Sequence, residues 1–484
     1  MRKMTRAIFE EFWASSDGQA LNVNPASRDV RLPNIVLQHQ EQFKRLGDLL
    51  ARQPELLAAV HHDLQAVLES QTKRKSQDKN DKRNREADFT TENLFRAILV
   101  MQIEGWTFRD TTIRIAESET LQNFCRLFKK STIDFTLICK AFGAIQPGTW
   151  ENMNRLFAIR MMHEKKIEPD NIRTDTTVTE CNIHYPTDSS LLWDCYRVLE
   201  RNIAKVREIT SQIDLSMIRF HIKKIKKLHL DITRFSNSKK PKRQRQVQRW
   251  KQTLTKRVKQ TVNKISEITK LLLTSPSIMV YAIGVELNAM LPVMAQVVNV
   301  AERNLQGEKV PATEKVFSIF EPHTELIMRG KRDKPVEFGH KILLSECPQK
   351  FITDWHVFDQ CPADPTLLPI VLERHEEIYG KKPKTLSADK GFCPKNDELE
   401  ELRDELSDEV EYLAVPKRLR DLGDAMMSEY QKFRAGIEGT ISCLKRAFRL
   451  ARCCFRGFKN FCSAVGSAVF CHNLIVIVRQ EEPG

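Results

Sequence analysis

Apolar residues recur along this 484-residue chain first with a helical period and later with alternating helical and strand-like periods. Residues 1 to about 70 read as amphipathic helix, as in "HQEQFKRLGDLLARQPELLAAVHHDLQAVL". The stretch Gln71–Asp88, "QTKRKSQDKNDKRNREAD", is nearly all charge and amide, so it reads as a linker or a solvated helix. From Phe89 to about 165 the pattern is helical again. Thr90 or Thr91 can cap a helix running to about Glu104, Gly105 turns the chain, and a second helix follows. That pair suits a DNA-reading helix–turn–helix, but it suits an ordinary helical hairpin packed on a core better.

Asp188 to about Phe235 carries apolar residues at helical spacing, among them Leu192, Leu199, Ile203, Val206, Ile218, Ile225 and Ile232. The run breaks at "SNSKKPKR", and a second helix then carries Val247, Leu254, Val258, Val262, Ile265 and Leu272. The expectation is a two-helix antiparallel hairpin closed by a short Pro-containing turn. After about Pro311 the period changes. "VEFGHKILLSE", "FITDWHVFD", "KTLSADKGF" and "VEYLAVP" read as strands; "DPTLLPIVLERHEEIYG", capped by Asp364, and "DELEELRDEL" read as helices. A last long helix starts near Ala425. With "RTDTTVTE" as the first strand, the order is β-β-β-α-β-α-β-α and the helical hairpin is inserted between strands one and two.

Charge sharpens this picture. The net charge is +14, which favours a polyanionic partner such as nucleic acid. The distal hairpin, His221 to Gln260, has one acidic residue, Asp231. Lys239, Lys240, Lys242 and Arg243 at its tip could track phosphates, or could be a solvated face. The twelve cysteines form no CxxC pair, which argues against a zinc ribbon or a disulfide framework and for reduced, cytoplasmic thiols. The N-terminus lacks a signal-peptide core. Two long apolar stretches, around Glu286 and around His472, contain polar residues and are expected to be buried helices rather than membrane spans.

Asp175, within "RTDTTVTE", is an unusual residue for mid-strand. Asp389 ends the fourth strand and Glu438 lies on the last helix, so three carboxylates stand where a metal site for phosphoryl transfer could be built. Carboxylates suit Mg²⁺ or Mn²⁺. On the last helix Arg434 and Lys445 fall within about 40° of Glu438 around the axis, suited to phosphates beside the metals. Gly436 and Gly439 are costly in a helix interior, so close backbone approach to sheet or substrate is expected there.

"RTDTTVTECNIHYPTDSSLLWD", "SIFEPHTELIMRGKRDKPVEFGHK", "SADKGF", "RAGIEGTISCLKR" and "RGFKNFCSAVGSAVFCHNL", in this order, resemble a bacterial insertion-sequence transposase of the DDE class, of the ISNCY-type group, over residues 89 to 480. The resemblance implies an α+β fold: an RNase H-like mixed sheet flanked by helices, formed by residues 166–187 and 311–480, with 188–310 inserted. It implies Asp175, Asp389 and Glu438 as catalytic ligands of two Mg²⁺ or Mn²⁺ ions. It also implies cleavage of double-stranded DNA at transposon inverted-repeat ends, joining of the 3′-hydroxyl to target DNA, and a homodimer or higher oligomer. Arg434, Glu438 and Lys445 match the family's helix spacing; Tyr430 is one position early. His184 and His340 fall in family-like segments and are read as structural residues. A nuclease that cuts without joining, and a non-catalytic transposase-derived DNA-binding protein, are the alternatives.

Overall fold

The computed structural model describes residues 33–77, 89–128, 132–328, 335–393, 410–415 and 424–481. The helix expected at "DELEELRDEL", most of the charged stretch before Phe89 and the first 32 residues lie outside this description.

Among the described residues, seven helices precede the first strand: α1 (Asn34–Ala51), α2 (Pro54–Gln77), α3 (Thr91–Ile103), α4 (Phe108–Glu117), α5 (Glu119–Phe124), α6 (Phe135–Ala144) and α7 (Pro147–His163). Thr90 and Asn93 form a capping box that starts α3, as the threonine signal predicts. Gly105, at a φ of 63°, turns the chain toward α4. Every residue from Asn93 to Gln102 is buried, so α3 packs as a central core helix.

The sheet, over the described residues, has seven strands: β1 (Asn171–Cys181), β2 (Glu325–Met328), β3 (Val336–Glu346), β4 (Ile352–Val357), β5 (Thr385–Ser387), β6 (Tyr412–Ala414) and β7 (Arg452–Cys453). The main path runs β2-β3-β1-β5-β6, β4 pairs with β3, and β7 pairs with β1. β3 is antiparallel to β1 and β4 antiparallel to β3, whereas β5 is parallel to β1 and β6 to β5. The fold is therefore α+β with a mixed open sheet. The five expected strands appear in the expected order. The short β2 and β7 carry too few residues to show a period. Asp364 differs from expectation: a 3₁₀ turn, Asp364–Thr366, precedes α12 (Leu367–Tyr379), so Asp364 is not the helix cap.

Alternation along β3 divides two cores. Leu343 joins Ile172, Leu386 and α12 on one face. Ile342 and Leu344 face the other side, with α13 (Asp424–Arg446), α14 (Phe458–Gln480) and residues from α1 to α7 in one continuous core.

Residues 188–310 correct the sequence reading. They form four helices rather than a two-helix hairpin: α8 (Asp188–Ile209), α9 (Ile222–Phe235), α10 (Pro241–Leu272) and α11 (Ile278–Leu305), around a core of their own. The chain leaves the helix between Thr210 and His221. Asp214 takes the Ser216 N–H there, and Arg207 binds the carbonyls of Leu215 and Ile218. Leu215 and Ile218 are buried in this loop, so the apolar period reads straight through the break.

α11 and α14 are both long and apolar enough to cross a membrane by length and composition. The most apolar window of α14 is 94% buried within the protein, as expected of a core helix; that of α11 is 28% buried, so the expectation of a buried helix fails there. α11 buries one face, including Ile283, Leu287 and Met294, and exposes Ile278, Met279 and Tyr281.

Candidate active site

Alternate residues of β1 point to one face of the sheet, so Arg173, Asp175 and Thr177 share the face on which α13 lies. Arg173 fixes that helix. Its Nη1 donates to the Phe433 carbonyl at 2.6 Å, its Nη2 meets Glu346 Oε1 at 2.7 Å, and the guanidinium stacks 4.7 Å from the Phe433 ring centre. Thr440 donates its hydroxyl to the same Glu346 oxygen at 2.9 Å. The guanidinium crosses the helix at Gly436, where a Cβ would stand 2.1 Å from Nη1. Close approach thus explains Gly436. A Cβ on Gly439 would meet no protein atom within 4 Å, so that glycine faces open space.

This anchor sets Asp175 beneath α13. Asp175 Oδ1 accepts the Thr176 N–H at 2.7 Å, and Oδ2 lies 3.6 Å from Arg434 Nη1. Arg434 Nη2 donates to Glu438 Oε1 at 2.9 Å, so one guanidinium spans two of the three acids. Asp389 arrives from β5. The parallel register pairs Arg173 with Ser387, and two residues further it brings Asp389 level with Asp175. Asp389 takes the Gly391 N–H at 2.7 Å, which fixes its carboxylate in the turn after β5.

The electrostatics agree with the geometry. Asp175 is pushed up to about 6, first by burial, then by repulsion from Asp389 and Glu438; the Thr176 N–H and Arg434 oppose the rise. Asp175 therefore feels both of the other carboxylates. Asp175 forms the floor and Glu438, with 64% of its side chain exposed, the rim. All three side chains offer oxygen donors, the ligand type that suits Mg²⁺ or Mn²⁺.

Two neighbours were not singled out from sequence. Asp364 Oδ1 pairs with Lys341 Nζ at 2.8 Å and accepts the Thr176 hydroxyl at 3.4 Å. Asp364 and Asp389 flank Gly391: a Cβ there would lie 3.7 Å from Asp364 Oδ2 and 2.9 Å from Asp389 Oδ1. An aspartate before a proline and a helix has an ordinary capping explanation, which hid this one.

Lys445 lies two turns beyond Glu438 on α13 and is half-buried. Tyr430 stacks toward Tyr412 of β6, with ring centres 6.3 Å apart, and so packs on the sheet edge. His184 pairs with Asp194 at 2.6 Å at the entrance to α8, and His340 is buried against His323. Neither histidine joins the acids. At the tip between α9 and α10, Lys239, Lys240 and Lys242 are exposed, whereas Arg243 is stacked 4.0 Å over Phe235 and bonded to Gln246. These four belong to the inserted bundle, with its separate core, and are not partners of the acids.

Comparison with protein-family models, with curated proteins and with solved structures returns no match for this chain.

Proposed function

We propose that this chain is a DDE-class DNA transposase, and that its sheet is an RNase H-like catalytic domain with the four-helix bundle as an insertion. The strand path β4-β3-β1-β5-β6, antiparallel on one side of β1 and parallel on the other, supports that reading of the fold. The observation that carries the function is the convergence of Asp175 from β1, Asp389 from the turn after β5 and Glu438 from α13.

Asp175, Asp389 and Glu438 would hold two divalent ions, which in such a site activate the attacking oxygen and stabilise the leaving oxygen of an in-line displacement. The chain's own residues prepare the place. Arg173 and Gly436 seat α13 so that Glu438 stays near the strand that carries Asp175. The Gly391 N–H holds Asp389, and Lys341 neutralises Asp364 beside it. Arg434, between Asp175 and Glu438, would offer its guanidinium to a DNA phosphate brought to the acids. The exposed lysines of the bundle tip supply a second, sequence-independent grip on the duplex.

Wild-type protein, Mn²⁺ and a linear duplex carrying the genomic flanks of the coding region, mixed with a supercoiled target plasmid, distinguish the readings. A transposase gives joined donor–target products and free 3′-hydroxyl ends. Cutting without joined product supports the nuclease, and binding without cutting the non-catalytic protein.

A further inference from the structure

A second group of potential ligands lies on β1, away from the acids. Cys181 is six residues beyond Asp175 and on the same face of the strand, about 20 Å away at roughly 3.3 Å per residue. One ligand atom each from Cys181, His323 and His340 lies within 4.8 Å of the others. Cys181 and His340 are buried and His323 is nearly so.

The hydrogen bonds around the two rings point to a cation between them. His340 Nδ1 donates to the Phe358 carbonyl at 2.9 Å, so its Nε2 carries a lone pair. His323 Nε2 donates to Glu321 Oε2 at 2.8 Å, and that carboxylate, itself buried, also accepts the Gly457 N–H at 2.8 Å. The remaining nitrogens, His323 Nδ1 and His340 Nε2, face each other at 2.8 Å. With both rings neutral, two lone pairs would oppose one another. Either an extra proton is shared between His323 Nδ1 and His340 Nε2 or a metal ion sits between the rings. Metal-binding histidines commonly have their outer nitrogens held by a carbonyl and a carboxylate in this way. A thiol is the third member, and Cys453 on β7 is the register partner of Cys181, so its side chain projects from the same face.

We propose that Cys181, His323 and His340, with Cys453 as fourth ligand, form a structural zinc-class site. Nitrogen and sulfur donors of this kind select Zn²⁺ over the hard ions suited to the three acids. Tetrahedral zinc, at about 2.0–2.1 Å from each nitrogen, needs the two nitrogens about 3.3 Å apart, so the rings separate by about 0.5 Å on binding. Without a cation, burial and the Glu321 charge push the Cys181 thiol up to about 11; an ion would hold it as thiolate.

The position suggests what the site does. The chain leaves β1 at Cys181 for the bundle, and after the bundle ends at Leu305 it reaches His323 on its way into β2. Cys453 follows α13, and Gly457 opens α14. An ion here pins the base of the inserted bundle and the far end of the acid-bearing helix to the sheet.

The test is metal content of full-length protein purified without chelator and then equilibrated with excess Zn²⁺ and desalted. About one zinc per chain is expected, with Co²⁺ substitution giving a thiolate-to-cobalt charge-transfer band. Chelation should lower the melting temperature, and added Zn²⁺ restore it. Cys181→Ser and His340→Gln should lose the ion, while Cys139→Ser, an exposed cysteine elsewhere, should keep it. Should the substituted chains fail to fold, the wild-type zinc content and cobalt spectrum decide alone. Wild-type protein without stoichiometric zinc, or with a chelator-insensitive melt, overturns the proposal and leaves a protonated histidine pair. Full zinc retention by Cys453→Ser overturns the fourth ligand. Because none of these readouts uses DNA, they stand or fall separately from the transposase reading.

Discussion

Replacing Gly436 and Gly439 by alanine, one at a time, should move stability in opposite directions although the two lie three residues apart on one helix. At Gly436 the added methyl would sit 2.1 Å from Arg173 Nη1 and 2.7 Å from its Cζ. Arg173 cannot easily yield, because it is held by Glu346 and the Phe433 carbonyl, and neither partner of the ion pair is more than 6% exposed. If α13 lifts instead, overpacking costs about 1–3 kcal/mol. If the ion pair breaks, the uncompensated buried charge costs roughly 3–5 kcal/mol. Alanine returns about 1 kcal/mol of helix propensity, so Gly436→Ala should lose a net amount of up to about 4 kcal/mol, about 2 kcal/mol at the middle of these ranges. Gly439→Ala meets no atom within 4 Å and should gain up to about 1 kcal/mol. Urea unfolding followed by fluorescence and circular dichroism measures both. Gly436→Ala should also lose cleavage activity per folded molecule, since its helix carries Glu438. A Gly436→Ala chain as stable as wild type would refute the seating of α13 on β1.

Asp175 makes a pH-dependent prediction. Its folded value, about 6, lies above the ordinary 3.8, so the folded state prefers the protonated form; without divalent ions, stability from this group is intact at low pH and is lost as pH rises from about 4 through about 6. A difference of about two pH units is worth roughly 3 kcal/mol at most. Asp175→Asn should therefore melt higher than wild type at pH 7.5 in chelator, and Mg²⁺ should raise the wild-type melt but not the mutant's; equal melting of the two chains in chelator would contradict the repulsion among the acids. At the bundle tip, changing Lys239, Lys240 and Lys242 to Gln should weaken specific and random duplexes alike and flatten the log–log salt dependence by up to about 0.9 for each phosphate no longer neutralised. An unchanged slope would make the cluster a solvated face. Arg243 is left out because its loss would uncover Phe235.

The strand that carries Asp175 was legible because a threonine-rich segment has a strand preference that survives without tertiary context, whereas Asp389, expected at the end of its strand, lies in the turn after the three-residue β5. Glu438 was legible from its companions: Arg434 four residues earlier, and a glycine pair that no free helix would favour. The four-helix bundle was not, because Leu215 and Ile218 keep the helical period while the backbone between them turns. Asp364 was masked by an ordinary capping explanation. The Cys181–His323–His340 group had no sequence signature, since its members lie on two strands and a loop that only the tertiary fold brings together.

The central claim is that Asp175, Asp389 and Glu438 together hold the ions that cleave DNA. Its most direct measurement is cleavage of flank DNA by Asp175→Asn, Asp389→Asn and Glu438→Gln across matched Mg²⁺ and Mn²⁺ concentrations, with DNA binding recorded for the same preparations. Each amide keeps the shape of its side chain and removes the charge. All three chains are expected to bind DNA and, in chelator, to melt no lower than wild type, yet to give no cleavage with either ion. Wild-type turnover by any one of them, or cleavage by the wild-type chain in excess chelator, would contradict it.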